Sequence, residues 1–302
     1  QDGIRAWHES LNELTKARVK LISQPKQGTS RARNAGIAQS SSPYVAFLDA
    51  DDIWLPEKLE RQIELMDAAP DVSLVYCWAA AIDEQGQLLG RIYAERLRQQ
   101  AWAGLVERNV ISTPSTVLLR RDCLEAVGGF DATLGSYVED KDLWLRIALN
   151  HKMRLMPEVL IHKRRHGANT SKQWVAMEQA SARVIDKAIA AAPGQFSPAQ
   201  LRRLRQRSYA ELKRNTAWKP LQTQQVEVVV ALRYLLSAWR YRPVMMLSTE
   251  SLKLMFVMMA LTLVGPQQYR RALRRVARLR HWVSRAKMLS WMKPSFQRSS
   301  SL

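Results

Sequence analysis

The sequence has few cysteines and no long apolar run, and both absences narrow the class of protein. Cys77 and Cys123 lie far apart and match no metal-ligand spacing, which excludes a disulfide framework and a cysteine zinc site and suits a reducing compartment. Residues 244–264 are apolar, but Glu250 and Lys253 interrupt them, and the remaining run falls short of the roughly 20 residues that cross a bilayer. We therefore expect a buried or interfacial helix there.

Acidic residues are scarce in the last third of the chain. Residues 197–302 hold 21 Lys and Arg and only three acidic residues, whereas residues 1–196 hold 25 Lys and Arg against 24 acidic residues. The formal net charge of +19 is therefore almost confined to the second part. We expect a near-neutral globular domain over 1–196 and a basic helical region over 197–302. Such a region is attracted to anionic surfaces, either nucleic acid or the inner face of a membrane.

The end of the basic region combines apolar and cationic positions at helical spacing. One apolar stripe is formed by Tyr269, Leu273, Val276, Leu279 and Val283. The residues between and just after them include seven arginines and no acid: Arg270, Arg271, Arg274, Arg275, Arg278, Arg280 and Arg285. This pattern favours a helix lying in an anionic membrane interface, and nucleic acid is not the expected partner. The alternative is a helix packed on the domain with a solvated basic face.

Three carboxylates follow a short apolar run early in the chain. Residues 45–48 predict a buried strand, and Asp49, Asp51 and Asp52 come directly after it. Carboxylates so close together repel one another unless a cation lies among them, which favours a divalent metal that binds phosphate. The alternative is that one or two of them cap the next helix.

Cations stand at the start of an earlier predicted helix. Residues 19–22 predict a short strand, and a helix over about 31–39 follows, with Arg31, Arg33 and Asn34 in its first turns. Cations are unusual there, because the helix N-terminus is already partly positive, so an anion is expected nearby. The alternative is a solvated pair of arginines.

A later helix begins with two acids. Glu139 and Asp140 precede an apolar helical face, and the helix dipole favours acids there by roughly 0.3–1 kcal/mol, which explains one of them structurally. Residues 159–162 predict a last strand, and Arg165 and His166 follow it before a turn of small residues. A histidine in that setting is a candidate ligand of phosphate or metal.

Taken in order, these blocks resemble the family 2 glycosyltransferases. The matching segments cover about residues 1–175 and are residues 28–36, 44–54, 56–62, 128–131, 139–146 and 165–171. The resemblance implies a GT-A fold, an α/β (Rossmann-like) mixed sheet flanked by helices. It also implies inverting transfer of a sugar from a nucleotide-diphospho-sugar, usually a UDP-sugar, to a glycan or lipid-linked acceptor in cell-surface polysaccharide synthesis.

The resemblance assigns roles to single residues. Asp49 and Asp51 match the family's Asp-x-Asp motif, in which the first contacts the nucleotide ribose and the second binds Mn²⁺ or Mg²⁺. Asp140 matches the general base that deprotonates the acceptor hydroxyl. His166 matches a residue that completes the metal or diphosphate site. Further positions on the nucleotide-sugar side are Arg33, Asn34 and Arg165.

The chain departs from the family pattern at its start. It opens on Gln1 without the strands that carry the family's first blocks, so we expect two strands, roughly forty residues, to be missing and the fragment to be inactive. With its basic tail, the whole enzyme is expected to be cytoplasmic and peripheral on the inner face of the cytoplasmic membrane. The alternative is a non-catalytic membrane- or nucleic-acid-binding protein that acts through the tail.

Overall fold

The computed structural model describes residues 2–97, 100–134, 137–165, 173–192, 194, 196–223, 225–269 and 271. Within them the chain forms one mixed sheet flanked by helices, which confirms the predicted α/β class. The strands are β1 (Tyr44–Ala46), β2 (Ile53–Trp54), β3 (Val72–Ile82), β4 (Leu88–Tyr93), β5 (Val117–Arg120) and β6 (Lys152–Arg164). Their order is β1-β5-β3-β6-β2, with β4 on β3; β3 and β6 run parallel, and the other described pairs are antiparallel.

Twelve helices are assigned in the described residues. They are α1 (Asp2–Glu9), α2 (Glu13–Lys16), α3 (Thr29–Ala38), α4 (Lys58–Asp67), α5 (Ala101–Glu107), α6 (Arg121–Ala126), α7 (Glu139–Asn150), α8 (Trp174–Ala190), α9 (Pro198–Ala217), α10 (Lys219–Gln222), α11 (Val228–Tyr241) and α12 (Thr249–Val264). Short 3₁₀ turns occupy Pro114–Thr116, Ala132–Leu134 and Pro243–Leu247.

Strand β3 lies at the centre of the sheet and is buried along almost its whole length. One face packs on the principal core, with Leu74 and Tyr76 against residues of α5, α7, α8 and α9. The other face places Val75 and Cys77 against Met66 of α4. Because both faces of this strand are covered, its sequence is a continuous apolar run rather than an alternating one.

The predicted strand over residues 19–22 is wrong. This segment has no regular structure, and Leu21 and Ile22 are 43% and 39% exposed. A strand is stable only when a neighbour completes its hydrogen bonds, and no described strand pairs with this segment. The start of the chain forms α1 and α2, whose apolar Ile4, Trp7 and Leu14 are exposed.

Helix α9 joins the principal core, although the prediction placed it in the basic region. Its Leu204 and Tyr209 are buried among residues of the globular part. Helices α10, α11 and α12 instead share a smaller core that includes Leu221, Leu235 and Leu254. The packing therefore favours a division after α9 over the predicted boundary at residue 196, and the division into two domains stays a prediction.

Helix α12 is apolar on two opposite sides. Ser251, Leu254, Met258 and Leu261 are buried. The other side, which we call the α12 apolar face, exposes Leu252, Met255, Phe256, Met259 and Leu263. In the part of the chain that the structure describes, no helix has both the length and the apolar content to cross a bilayer. Residues 272–302, with most of the predicted tail stripe, lie outside that part.

Candidate active site

The loop that carries the three carboxylates follows β1 and is held by hydroxyl groups from a distant segment. Ser115 Oγ accepts a hydrogen bond from the backbone N–H of Asp49 at 3.0 Å. Thr113 Oγ1 lies 2.8 Å from Asp49 Oδ2 and 3.2 Å from Asp52 Oδ2. Asp52 is buried, and this burial raises the pKa of its carboxyl group. The hydroxyls therefore fix the direction in which the aspartates point.

The 3₁₀ turn Pro114–Thr116, which provides one of these hydroxyls, is held by hydrogen bonds from side chains of β2 and α4. Trp54 Nε1 donates to the carbonyl of Ser115 at 2.9 Å, and Gln62 Nε2 donates to the carbonyl of Thr116 at 2.9 Å. Lys58 is fully buried; its Nζ donates to Gln62 Oε1 at 2.7 Å and lies 4.3 Å from the centre of the Trp54 ring. Residues 54–62 therefore support the carboxylate loop indirectly, because they hold the turn that contains Ser115.

Arg33 links the carboxylate loop to the start of α7. Its Nη2 lies 2.8 Å from Asp49 Oδ1, and its Nη1 lies 2.9 Å from Glu139 Oε1. Thr29 Oγ1 donates to the same Glu139 oxygen at 2.9 Å. Helix α3 thus presents a cation to two carboxylates, which accounts for the arginine that the sequence placed at its start.

Asp140 stands beside this cluster but uses its carboxylate differently. Its Oδ1 accepts from the backbone N–H of Lys141 at 2.7 Å, and no described side chain donates to Oδ2. Burial and the neighbouring Glu139 raise the pKa of Asp140 to about 6, against smaller opposing effects of Arg33 and Lys163. The carboxylate lines a cavity of about 280 Å³, with Tyr137, Glu211 and Asn215. It is therefore accessible to a ligand and has a pKa close to neutral pH.

The side chain of Asn34 is hydrogen-bonded to the turn before α7. Its Nδ2 donates to the carbonyl of Phe130 at 2.8 Å, and its Oδ1 accepts from the N–H of Phe130 at 2.9 Å. Gly129 has a φ of +66°, and a Cβ built there would lie 2.9 Å from Asn34 Oδ1. Arg146 Nη2 donates to the Gly129 carbonyl at 2.7 Å. Since both polar atoms of its amide are occupied, the nucleotide contact assigned to Asn34 stays a prediction.

The carboxylate loop suits a metal that takes most of its ligands from substrate and water. In the described residues, no group of three or more His, Cys, Asp or Glu side chains could hold a metal ion. Mg²⁺ is commonly bound by one or two carboxylates plus phosphate oxygens and water, so such a site needs few protein ligands. Asp51, in the loop between Asp49 and Asp52, is the candidate; its predicted partner His166 lies outside the described residues.

The predicted site residues do not all lie in one place. Arg33 and Asp49 are in contact with each other, and the charge of Arg33 acts on Asp140. Arg165 follows β6 and lines a separate, larger cavity. Thr113, Ser115 and the bridging role of Glu139 were not predicted. The available signal was the run of small hydroxyl residues over 112–116, interrupted by one proline, just before a buried strand.

Known proteins similar to this chain are glycosyltransferases. The amylovoran biosynthesis glycosyltransferase AmsE of Erwinia amylovora is 33% identical over 143 residues, 45% of this chain and 50% of that protein. An uncharacterized glycosyltransferase of Nostoc is 31% identical over 179 residues, 56% of this chain and 53% of that protein. The chain spans about half the length of the curated relatives it matches first.

A shorter match involves an Escherichia coli protein. UDP-Glc:alpha-D-GlcNAc-diphosphoundecaprenol beta-1,3-glucosyltransferase WfgD is 42% identical over 55 residues, 18% of this chain and 22% of that protein. Among solved structures, the mannosyltransferase PcManGT of Pyrobaculum calidifontis, in complex with GDP-Man and Mn²⁺, aligns with a TM-score of 0.48 and 17% identity. That alignment covers 97% of this chain and 74% of the other.

A family model described as "Glycosyltransferase like family 2" matches residues 7–217. The match begins in α1 and continues to the last residue of α9, so it includes the carboxylate loop, Arg33 and the start of α7. Together with the mixed sheet flanked by helices, it confirms the predicted GT-A fold class. Because the match covers more than half of the chain, the protein belongs to the glycosyltransferase-like family 2.

Proposed function

We propose that the protein transfers a sugar from a nucleotide-diphospho-sugar, with inversion, to an acceptor hydroxyl that Asp140 deprotonates. The observation that carries this proposal is the environment of Asp140. Its carboxylate lines a cavity, and its pKa, raised to about 6, is close to that of an efficient general base at neutral pH. An inverting displacement needs one base on the acceptor side of the anomeric carbon, and one carboxylate of this kind is sufficient.

Glu139 is less suited to that role, although it is adjacent in sequence. Its Oε1 accepts hydrogen bonds from both Arg33 and Thr29, which bind the carboxylate to α3. Glu139 therefore acts as a positioning residue that holds Arg33 in place. Asp49, on the other side of Arg33, is oriented for a hydroxyl of the donor such as the ribose.

We assign the donor diphosphate to the carboxylate loop. Asp51 would hold Mn²⁺ or Mg²⁺ there, with His166 as a further ligand of the diphosphate or metal. The donor contact predicted for Arg165 is not part of this proposal, because Arg165 lines a different cavity. When bound, the metal ion would neutralise charge that develops on the leaving nucleoside diphosphate. The residues of this chain orient the loop through Thr113 and Ser115 and supply the base.

We further propose a lipid-linked acceptor at the inner face of the cytoplasmic membrane. The name of the WfgD relative specifies a diphosphoundecaprenol acceptor, and the names of other relatives refer to amylovoran and O-antigen biosynthesis. The α12 apolar face and the basic composition after residue 196 are suited to an anionic lipid surface. A free glycan acceptor would require neither feature.

The test incubates the full-length protein with a panel of nucleotide-sugars and measures the release of nucleoside diphosphate, with and without Mn²⁺ or Mg²⁺. We expect metal-dependent release with one donor and its loss in Asp51→Ala. The matched control is Asp71→Ala, which removes an exposed carboxylate outside the loop. No release with any donor would refute the enzymatic proposal, and unchanged release in Asp51→Ala would remove Asp51 from the site.

A further inference from the structure

A second, larger cavity lies between the sheet and the C-terminal helices. It has a volume of about 730 Å³ and is bordered by the ends of β4 and β6, the last turns of α9, α10 and the first turn of α12. We call it the basic pocket, because its lining holds five cationic side chains and one carboxylate: Arg91, Lys163, Arg164, Arg165 and Lys219, with Glu250.

The positive charge of the basic pocket is poorly compensated. In the described residues, no carboxylate pairs with Arg91, Arg165 or Lys219, and Glu250 is paired with Lys253 at 2.8 Å. Arg91 and Lys163 contact the same Tyr93 ring, 4.7 and 5.4 Å from its centre. Burial, together with the charge of Arg165, lowers the pKa of Lys219. The repulsion among these cations is reduced by an anion that accepts several hydrogen bonds at once, as phosphate groups do.

The basic pocket adjoins the cavity that Asp140 lines. Asn215 lines both cavities, and Lys163, which lines the basic pocket, is close enough to Asp140 to affect its pKa. An anion in the basic pocket and a hydroxyl at Asp140 could therefore belong to one molecule. That molecule would be the acceptor, because Asp140 is the group that takes the acceptor proton.

An apolar surface begins beside the same pocket. Glu250 lines the pocket from the first turn of α12, and the α12 apolar face starts two residues later at Leu252 and continues to Leu263. Exposed apolar side chains also occur on the packed neighbours of α12: Val229, Leu232 and Leu236 of α11, and Val244, Met246 and Leu247 of the 3₁₀ turn. An apolar surface of this kind is unusual for a protein that contacts water alone and suits a bilayer.

Accordingly, we propose that the basic pocket binds the diphosphate of a lipid-linked acceptor while the α12 apolar face contacts the bilayer that holds the lipid. The inference rests on the proposed glycosyl transfer and specifies where its acceptor binds. The other source of a diphosphate is the donor. A nucleotide-sugar is soluble in water and has no hydrocarbon, so it gives no account of an apolar surface beside the pocket.

The experiment measures the binding of undecyl diphosphate to the full-length protein by calorimetry, in the presence of saturating UDP and Mn²⁺. The pocket variant is Arg91→Gln with Lys219→Gln. The matched control is Arg203→Gln with Arg207→Gln, which removes the same charge from exposed positions on α9 outside the pocket. We expect the pocket variant to bind undecyl diphosphate at least about tenfold more weakly, the cost of one hydrogen bond to a charged group. The control and the affinity for UDP should be unchanged.

Three results would overturn the proposal. Binding of undecyl diphosphate that occurs without UDP and is lost in saturating UDP would make the basic pocket part of the donor site. Equal weakening in the control variant would show that general charge is responsible. Equal affinities for inorganic diphosphate and undecyl diphosphate would exclude a lipid contribution. The proposed transfer fails separately, through an absence of metal-dependent nucleoside diphosphate release with every donor of the panel, whatever undecyl diphosphate does.

Discussion

Arg33 holds Asp49 and Glu139 through two different nitrogens of one guanidinium group. Its Nη2 lies 2.8 Å from Asp49, and its Nη1 lies 2.9 Å from Glu139. The arginine is mostly buried and also stacks on the Phe130 ring, 5.2 Å from its centre. A loop that follows β1 and a helix that begins at residue 139 are thereby fixed relative to each other by a residue of α3.

We expect Arg33→Lys to reduce transfer strongly while keeping the positive charge. An ammonium group is a compact point charge and does not reproduce the planar fork that meets both carboxylates. The matched control is Arg31→Lys, since Arg31 is on the same helix, is exposed, and donates to Gln27 in the preceding loop. Steady-state kinetics would decide the matter, and equal activity of the two variants would show that charge alone matters at position 33.

Asp140→Asn should reduce transfer by a factor on the order of 10²–10⁴, the usual effect of removing a general base. Asparagine keeps the shape and the oxygen that accepts from Lys141, so donor affinity should be nearly unchanged. The ionised carboxylate is disfavoured by burial, so this variant should also melt at a higher temperature at pH 8. Glu139→Gln should instead lower the melting temperature. If Glu139→Gln abolishes turnover and Asp140→Asn weakens donor binding, the roles are reversed.

The pH dependence of kcat/KM should show an acid limb with an apparent pKa of about 6. Burial raises the pKa of the Asp140 carboxyl group to this value. The base works in its ionised form, so activity rises as pH increases through that value. Lys163 lowers the pKa of Asp140, and Lys163→Met should therefore move the limb to higher pH. Metal affinity, measured over the same pH range, would separate this effect from titration of the carboxylate loop.

Gly129→Ala should destabilise the fold more than Gly128→Ala does. Both glycines have φ in the left-handed region, at +66° and +76°, so both substitutions carry backbone strain of roughly 1 kcal/mol. A Cβ at position 129 would also approach Asn34 Oδ1 to 2.9 Å, whereas nothing lies within 4 Å of one at position 128. Thermal unfolding of the two variants measures the difference, and equal melting temperatures would show that Asn34 moves aside at little cost.

Phe256→Ser with Leu263→Ser should weaken flotation of the full-length protein with phosphatidylglycerol vesicles. The two side chains are 63% and 77% exposed, so their loss should leave the fold intact while it removes apolar contact with lipid. Gln206→Ser on α9 is an exposed polar control. A wild-type protein that stays in the soluble fraction at low salt would contradict the membrane proposal.

The order of elements could be predicted because strong local signals mark them. The strand before the carboxylates and the acids at the start of α7 needed no knowledge of the rest of the chain. Residues 19–22 were misassigned because strand formation depends on a neighbouring strand, which local sequence does not reveal. The same limit applies to Thr113, which meets Asp49 across 64 positions. Contacts between residues so far apart in the sequence are fixed by the topology of the fold. They produce no periodic pattern in the sequence.

The contact between Asn34 and Gly129 has a consequence for how such sequences diverge. Positions 34 and 129 share one small volume, and a larger side chain at either position would collide with the other. We therefore expect homologous chains to change these two positions together or not at all, although they are 95 positions apart in the sequence. An alignment of relatives should show this coupling as paired substitutions. Position 128 should vary independently of position 34, which makes the pair a marker for chains that retain this turn.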